Sequence, residues 1–591
     1  VWRSIERACA GLALAVAACS GGGGGSAPQA AVPPAETGFL ARADVERIVA
    51  QAAGEATARG VRAHIAVVDR VGNVLAVFRM TGAGATAVIS SGRGVRGGLE
   101  EASVPAELAA IAKAVTGAYL SSNGNAFSTR TAGQIVQEHF NPNEAHQPSG
   151  PLYGVQFSQL SCSDVNRNLA HGSVGPKRSP LGLSADPGGL PLYKDGVLAG
   201  GIGVEADGRY SFDRDITDVD ENPEELIALA GTSGFDAPVD IRADRITADG
   251  RTFRFVDAQT LRANPQQAPS FTALGGSLVA VAGYSDAVTR AGTAFGTAAS
   301  GIRAEAQGSG TSILVDAANA NRFPARDGEG GLRAHEVRAI LDEALVVARR
   351  ARGQIRRPLG SFAHVTVSVV DRRGDVLGLA RTSDAPVFGI DVAVQKARTA
   401  LAFSHESVMT ILGAYAQDFA AFVGDAALGG RIAFTPRSVG NLHRPFYPDG
   451  LENAPRGPLS TPIGRWSPFN VGFQLDLVAA RLVAGLGGDL SEGCAASPLV
   501  RNGVQIFPGG VPIYRGDTLV GAIGVSGDGV DQDDMVAYLG VRNAARLLAT
   551  GIDNAPASRR ADTLAPLGVR LRYVQCPQAP FNDSSEQNAC E

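Results

Sequence analysis

Charge is scarce in this chain. Lys, Arg, Asp and Glu together make up only 19% of 591 residues, and the net charge is −5. No basic patch or stripe is written anywhere, which removes the electrostatic footprint of a nucleic-acid binder. Cysteine is rare at six, and no Cys-x-x-Cys occurs. Neither a zinc ribbon nor a covalent c-type haem attachment is therefore encoded. Histidine is nearly as rare: His64, His139, His146, His171, His335, His364, His405 and His443. None stands in His-x-x-x-His or His-Glu-x-x-His, which excludes the zinc-protease signature. Gly524-Val525-Ser526-Gly527 is not a nucleophile elbow, because Asp528 occupies the place of the second glycine. Gly200-Gly201-Ile202-Gly203 lacks the spacing of a dinucleotide loop.

What the chain has in abundance is glycine, 74 residues of it, and repetition. Gly188-Gly189-Leu190-Pro191-Leu192-Tyr193-Lys194-Asp195-Gly196-Val197-Leu198-Ala199-Gly200-Gly201-Ile202-Gly203-Val204 returns as Gly509-Gly510-Val511-Pro512-Ile513-Tyr514-Arg515-Gly516-Asp517-Thr518-Leu519-Val520-Gly521-Ala522-Ile523-Gly524-Val525. Two apolar runs around a Gly/Asp/Lys turn predict a β-hairpin. The doubled Gly-Gly-x-Pro is a backbone device, permitting positive φ before the hairpin or close approach of a ligand or neighbouring chain. A second hairpin, Val67-Val68-Asp69-x-x-Gly72, matches Val369-Val370-Asp371-x-x-Gly374. Helical stripes Val45, Ile48, Val49, Ala52 and Val337, Ile340, Leu341, Ala344 follow the i, i+3, i+4, i+7 rule. Lys113 pairs with Lys396, Arg130 with Arg437, and Arg-Ala-Asp at 242–244 with 560–562. The chain thus predicts an α+β internal duplication, each copy an antiparallel sheet flanked by helices. The copies span 38–257 and 333–575, joined by a connector over 258–332 and followed by a tail over 576–591. The two copies are expected to form a pseudo-two-fold pair.

The first residues read as a leader. Arg3 and Arg7 precede the apolar run 8–18, and Cys19 is followed by Ser20 and five glycines. Val16-Ala17-Ala18-Cys19 resembles a bacterial lipobox, which implies a signal peptide over 1–18, lipidation of Cys19, a Gly-rich tether over 19–37 and no other membrane contact. Ser20 resembles the sorting signal of an exported outer-membrane lipoprotein, facing periplasm or cell surface. Cys162, Cys494, Cys576 and Cys590 then remain, an even number with three possible pairings. Cys576 and Cys590 are close in sequence; Cys162 and Cys494 either bridge the repeats or stay buried as thiols.

Taken together, Asp371-x-x-Gly374-x-x-Leu377, Arg381, Lys396-Ala397-Arg398-Thr399-Ala400, Gly509-Gly510-Val511-Pro512 and Gly521-Ala522-Ile523-Gly524-Val525-Ser526-Gly527 resemble the GlcG/HbpS-like haem-binding domain, also called the haem-degrading domain. The resemblance implies a profilin- or roadblock-like fold, homo-oligomers, and haem or another small ligand near a subunit interface. It points to the second copy, where Arg381, Lys396, Thr399, Phe403, the Gly509-Gly510-Val511-Pro512 loop and Ser526 become ligand-binding candidates. Phe403, Val511, Ile513 and Ile523 would supply apolar walls, Lys396 or Arg381 would hold propionates, and His335 ahead of His405 would ligate iron. The first copy departs from the pattern with Glu205 in place of Ser526 and about nineteen extra residues between Arg79 and Lys113. Both copies carry long inserts, 119–185 and 404–505. Arg79/Arg381 and Lys113/Lys396 could equally pair with Asp69/Asp371 beside the hairpin. No acid–base pair or nucleophile recurs in both copies, so the residues favour a ligand-binding envelope lipoprotein. An envelope scaffold and a haem-degrading enzyme are the alternatives.

Overall fold

Two nearly identical hairpin registers organise the chain. In the first half, β1 (His64–Asp69) and β2 (Val74–Met80) pair antiparallel, with Val67 opposite Ala76 and a bulge between Val67 and Val68. The counterparts Thr366–Asp371 and Val376–Thr382 pair with Val369 opposite Gly378 and a bulge between Val369 and Val370. Each turn is held by its aspartate: Asp69 accepts the amides of Val71 and Asn73, and Asp371 those of Arg373 and Asp375. Gly72 and Gly374 carry φ of 81° and 83°, the left-handed region this turn requires. The structure, a computed structural model, describes residues 38–135, 159–166, 173–248, 250–424, 429–487 and 493–591. The leader, Cys19 and the tether lie outside them, as do His139, His146 and His171.

The first half continues with β3 (Thr86–Ile89), β4 (Ser103–Pro105), α2 (Ala106–Leu120) and α3 (Thr129–Ile135), after an opening α1 (Arg42–Arg59). β5 (Gly189–Lys194), β6 (Val197–Glu205), β7 (Arg209–Tyr210) and α4 (Pro223–Gly231) complete it. The extra residues between Arg79 and Lys113 supply β3 and β4, which with β7 form a small sheet ordered β4-β3-β7. The second half carries α5 (Ala334–Arg350), α6 (Gly389–Phe403), α7 (Pro436–Leu442) and α8 (Val530–Leu548).

The connector belongs to both sheets. Its β8 (Gly276–Leu278) adds to β2, giving the antiparallel order β8-β2-β1-β6-β5. Its β9 (Ile302–Ala304) and β10 (Thr311–Leu314) add to the other half. There β11 (Thr366–Asp371), β12 (Val376–Thr382), β13 (Gly510–Arg515), β14 (Thr518–Ser526) and β15 (Ile552–Asn554) give the order β9-β10-β12-β11-β14-β13-β15. Helices pack on both faces of the central strands, so Ile65-Ala66-Val67-Val68 and Val367-Ser368-Val369-Val370 are buried without alternation. Hairpin glycines let the crossing helix sit on the backbone. A Cβ at Gly203 would lie 2.1 Å from the Ala110 carbonyl oxygen, and one at Gly524 would lie 2.0 Å from that of Ala393.

All described residues fall in one compact unit. Ile390, Val394, Ala397 and Leu401 of α6 share a continuous core with the first half, whereas α5 and α8 close a separate one. Between the halves, Asp384 is the central anion. It accepts from Arg70 at 2.7 Å, from Arg356 at 3.0 Å and from the Asn123 amide. Among the described residues there are two disulfides, Cys162–Cys494 joining the two inserts and Cys576–Cys590 closing the tail. That tail packs back on the second half through Phe581.

Candidate functional site

Lys396 and Lys113 occupy matching places on α6 and α2, facing the start of each late hairpin, and both are buried. Lys396 donates to the Val525 carbonyl at 2.9 Å and to Asp533 at 2.8 Å. Lys113 contacts Glu224 at 2.5 Å, Asp186 at 2.7 Å and Glu205 at 3.0 Å. Glu224 and Asp533 are the matching acids on α4 and α8. One residue further along, Glu225 and Asp534 accept from Arg130 and Arg437 at 2.8 and 2.5 Å. Each half therefore ties its last helix to its middle by one lysine and one arginine. Arg-Ala-Asp repeats in the same sense: Ala126 bridges Arg242 and Ala433 bridges Arg560.

The halves diverge at two positions. Glu205 stands where the second half has Ser526, and Asp186 where it has Phe507. In the first half the space is filled by three carboxylates whose oxygens lie within 4.8 Å of one another around Lys113. In the second half this exchange removes two of the carboxylates from around the lysine, and a cavity of about 60 Å³ adjoins it. Lys396, Ser526, Asp528 and Asp533 form its polar end; Val392, Phe388, Ile355 and Phe507 wall it from the second half. Leu120, Phe127, Ile135, Leu183 and Phe253 close it from the first. Two of the three Lys396 donors are spent on Val525 and Asp533, leaving one at the cavity end. Asp528 is fixed by the amides of Gln354 and Gly529.

Burial pushes Asp533 up to about 7, against the downward pull of Lys396. The native carboxyl keeps a proton that the unfolded chain sheds near its ordinary 3.8, so its contribution is present below that value and is lost as pH rises towards 7. His364 and His443, driven down to about 3 by burial, act in the opposite sense over part of this window. The prediction is therefore a difference: the stability of the unmodified protein relative to Asp533→Asn falls between about pH 5 and about pH 7.5. Urea midpoints across that range read it, and a pH-independent difference would reject it.

Of the residues singled out from sequence, Lys396 and Ser526 line the cavity. Arg381 is buried elsewhere, donating to the carbonyls of Ala385 and Pro386 with its guanidinium 5.9 Å from the Phe295 ring. Arg79 differs: it is half exposed, with Glu107 3.8 Å away. Neither arginine pairs with the turn aspartates, whose carboxylates accept from backbone amides and, at Asp69, also from the Asn73 side chain. Thr399 accepts the Gln505 amide and donates to the Gln395 carbonyl, and Phe403 sits in an aromatic cluster with Phe419, Phe434 and Phe473. Gly509, with φ of 120°, Gly510, Val511 and Pro512 pack against α6 and within the sheet. His335 is exposed on the first turn of α5. His405 accepts the Ser407 amide just past α6, half-buried. The walls contributed by the first half carried no sequence signal, because they meet the site only through the packing of the two halves.

No curated protein matches this chain. Two solved structures are similar to it at 17% identity. The Klebsiella pneumoniae protein ORFY aligns over 36% of this chain and 87% of its own with a TM-score of 0.19. PduOC, in a complex with haem, aligns over 38% and 99% with a TM-score of 0.18. The family described as haem degrading protein HbpS-like matches residues 340–439 and 471–542, and the interval between these stretches falls inside the long insert 404–505. The second half of this chain thus carries HbpS-like sequence, from α5 through to α8, interrupted by an insert.

Proposed function

We propose that this protein binds one small, largely apolar ligand in the cavity between its halves, with haem as the candidate that the family supports. The observation that carries the reading is the exchange of Asp186 and Glu205 for Phe507 and Ser526. It replaces two carboxylates by an aromatic ring and a hydroxyl, so that Lys396 borders an apolar cavity where Lys113 is enclosed by ion pairs. On this reading the chain is an internal duplication of a profilin- or roadblock-like domain, a fused pair in which the first copy became the lid of the second. Two disulfides suit an oxidising compartment. They support an exported protein anchored through Cys19, for which incorporation of labelled palmitate, lost in Cys19→Ala, is the check. Self-association of the fused pair is part of the same reading.

The lining as described does not fit a haem. Its volume is that of about two water molecules at ~30 Å³ each, against roughly 300 Å³ or more for a drug-sized ligand. Among the described residues no His, Cys, Met or Tyr lines the cavity, and these are the usual protein donors to haem iron. Lys396 offers an ammonium that a carboxylate would seek. Titration with hemin is the experiment. If haem is the ligand, the cavity must widen to take it, and one saturable Soret band follows, weakened at least tenfold by Val392→Phe, which fills the cavity, and unmoved by His335→Ala with His405→Ala. Absence of the band rejects haem. A band shifted by the histidine changes and indifferent to Val392→Phe rejects this cavity as its seat.

A further inference from the structure

A second cleft, unrelated to the first, opens beside the β1–β2 turn. Its volume is about 230 Å³, and its walls come from Gly72–Leu75, from Ser173–Lys177 and from the connector between Gly283 and Ala299. Among the described residues no acidic side chain lines it, but two cations do, Lys177 and Arg290, together with Asn73, Tyr284 and Thr293. The turn is built to make this wall: the Lys177 amide donates to the Val71 carbonyl, and Tyr119 packs beneath Gly72 so closely that a Cβ there would meet its hydroxyl. At the matching turn of the second half, Pro498 and Leu499 crowd Gly374 and Arg398 donates to its carbonyl at 2.9 Å.

Lys177 is 4% exposed, and its ammonium donates to the carbonyl and hydroxyl of Ser173. Among the described residues it has no carboxylate within ion-pair distance. Arg290 binds Asp286, and its Nε is buried without a hydrogen-bond partner among the described residues. Burial holds the Lys177 amine down to about 8 although Asp69 attracts it; Arg322 adds repulsion. Lys113, surrounded by three carboxylates, is held well above the ordinary range. Lys177 is thus a buried cation short of an anion, next to an arginine with an unspent donor.

We propose that this cleft binds a small organic carboxylate, with Lys177 and Arg290 as its counter-charges. The space, about eight waters at ~30 Å³ each, exceeds what a lone oxyanion needs. Val74, Leu75, Val174 and Ala291 give the remainder an apolar side, which suits a carbon skeleton. Calorimetric titration of the full chain with succinate tests this, with inorganic phosphate as a parallel arm. Succinate is expected to bind saturably and to lose at least tenfold in affinity in both Lys177→Met and Arg290→Gln. Arg290 is partly exposed, so its variant reads the site even if Lys177→Met fails to fold. The hemin band of the other cavity is expected to be unchanged in Arg290→Gln. The proposal is overturned by unsaturable succinate heats up to tenfold above a ~1 mM Kd. Equal binding by Arg290→Gln, or saturable binding of phosphate alone, would also overturn it.

Discussion

Replacing Lys113 by methionine lowers the unfolding free energy by about 3–5 kcal/mol, the cost of leaving buried charge without its partner. Three carboxylates converge on this one ammonium, and burial already pushes Glu205 up to about 7. Without the lysine, the cluster folds only with more of its protons retained, so the loss grows as pH rises through neutrality. Lys396→Met is expected to cost less, because Asp533 alone remains and the adjoining cavity offers it relief. Urea denaturation of the two variants side by side is the measurement. A second arm adds Asp186→Phe and Glu205→Ser to Lys113→Met, giving positions 186 and 205 the residues of the second half, and should restore part of the stability. A loss under about 1 kcal/mol in Lys113→Met would show that the cluster is not held by that ammonium.

Asp384→Ala is the second large effect, expected at about 3–5 kcal/mol, because it leaves the buried guanidiniums of Arg70 and Arg356 facing one another. Both arginines hold the Asp384 carboxyl well below the ordinary range, so its stabilisation is fully present above its ordinary 3.8 and is lost only in strong acid. The variant also has a reach that a local packing loss lacks. Arg356 lies 3.5 Å from Asp528, and Gln354 and Ile355 line the cavity beside it. Loosening Asp384 should therefore weaken hemin uptake as well as stability. Unchanged uptake in a measurably destabilised variant would uncouple the interface from the cavity.

What the sequence makes legible follows from where its signals lie. The hairpins were readable because Val-Val-Asp-x-x-Gly joins an apolar run to a turn whose geometry admits few residues. Lys396 and Ser526 were readable by resemblance, and both line the cavity. Arg381 was a plausible anion holder, but the carbonyls of Ala385 and Pro386 claim it. Connector strands such as Gly276–Leu278 left no trace, since three residues on a sheet edge need no alternation. The first-half walls, Phe127 and Phe253 among them, are ordinary core residues until another half packs against them. Lys177 carried no motif at all; its meaning comes from a setting that has, among the described residues, no carboxylate within ion-pair distance.

The connector also fixes the order in which the halves can be completed during synthesis. The Asp69 turn is clasped by the Thr293 amide and the Leu75 edge by Arg290, while Asp371 and Leu377 are clasped by Glu329 and Arg326. The second clasp leads its half off the ribosome, whereas the first trails some two hundred residues behind the turn it closes. The first half thus stays unbuttoned until the connector has emerged, and a chain cut at residue 258 would release it permanently open. A cut between 293 and 302 instead leaves each half its own clasp.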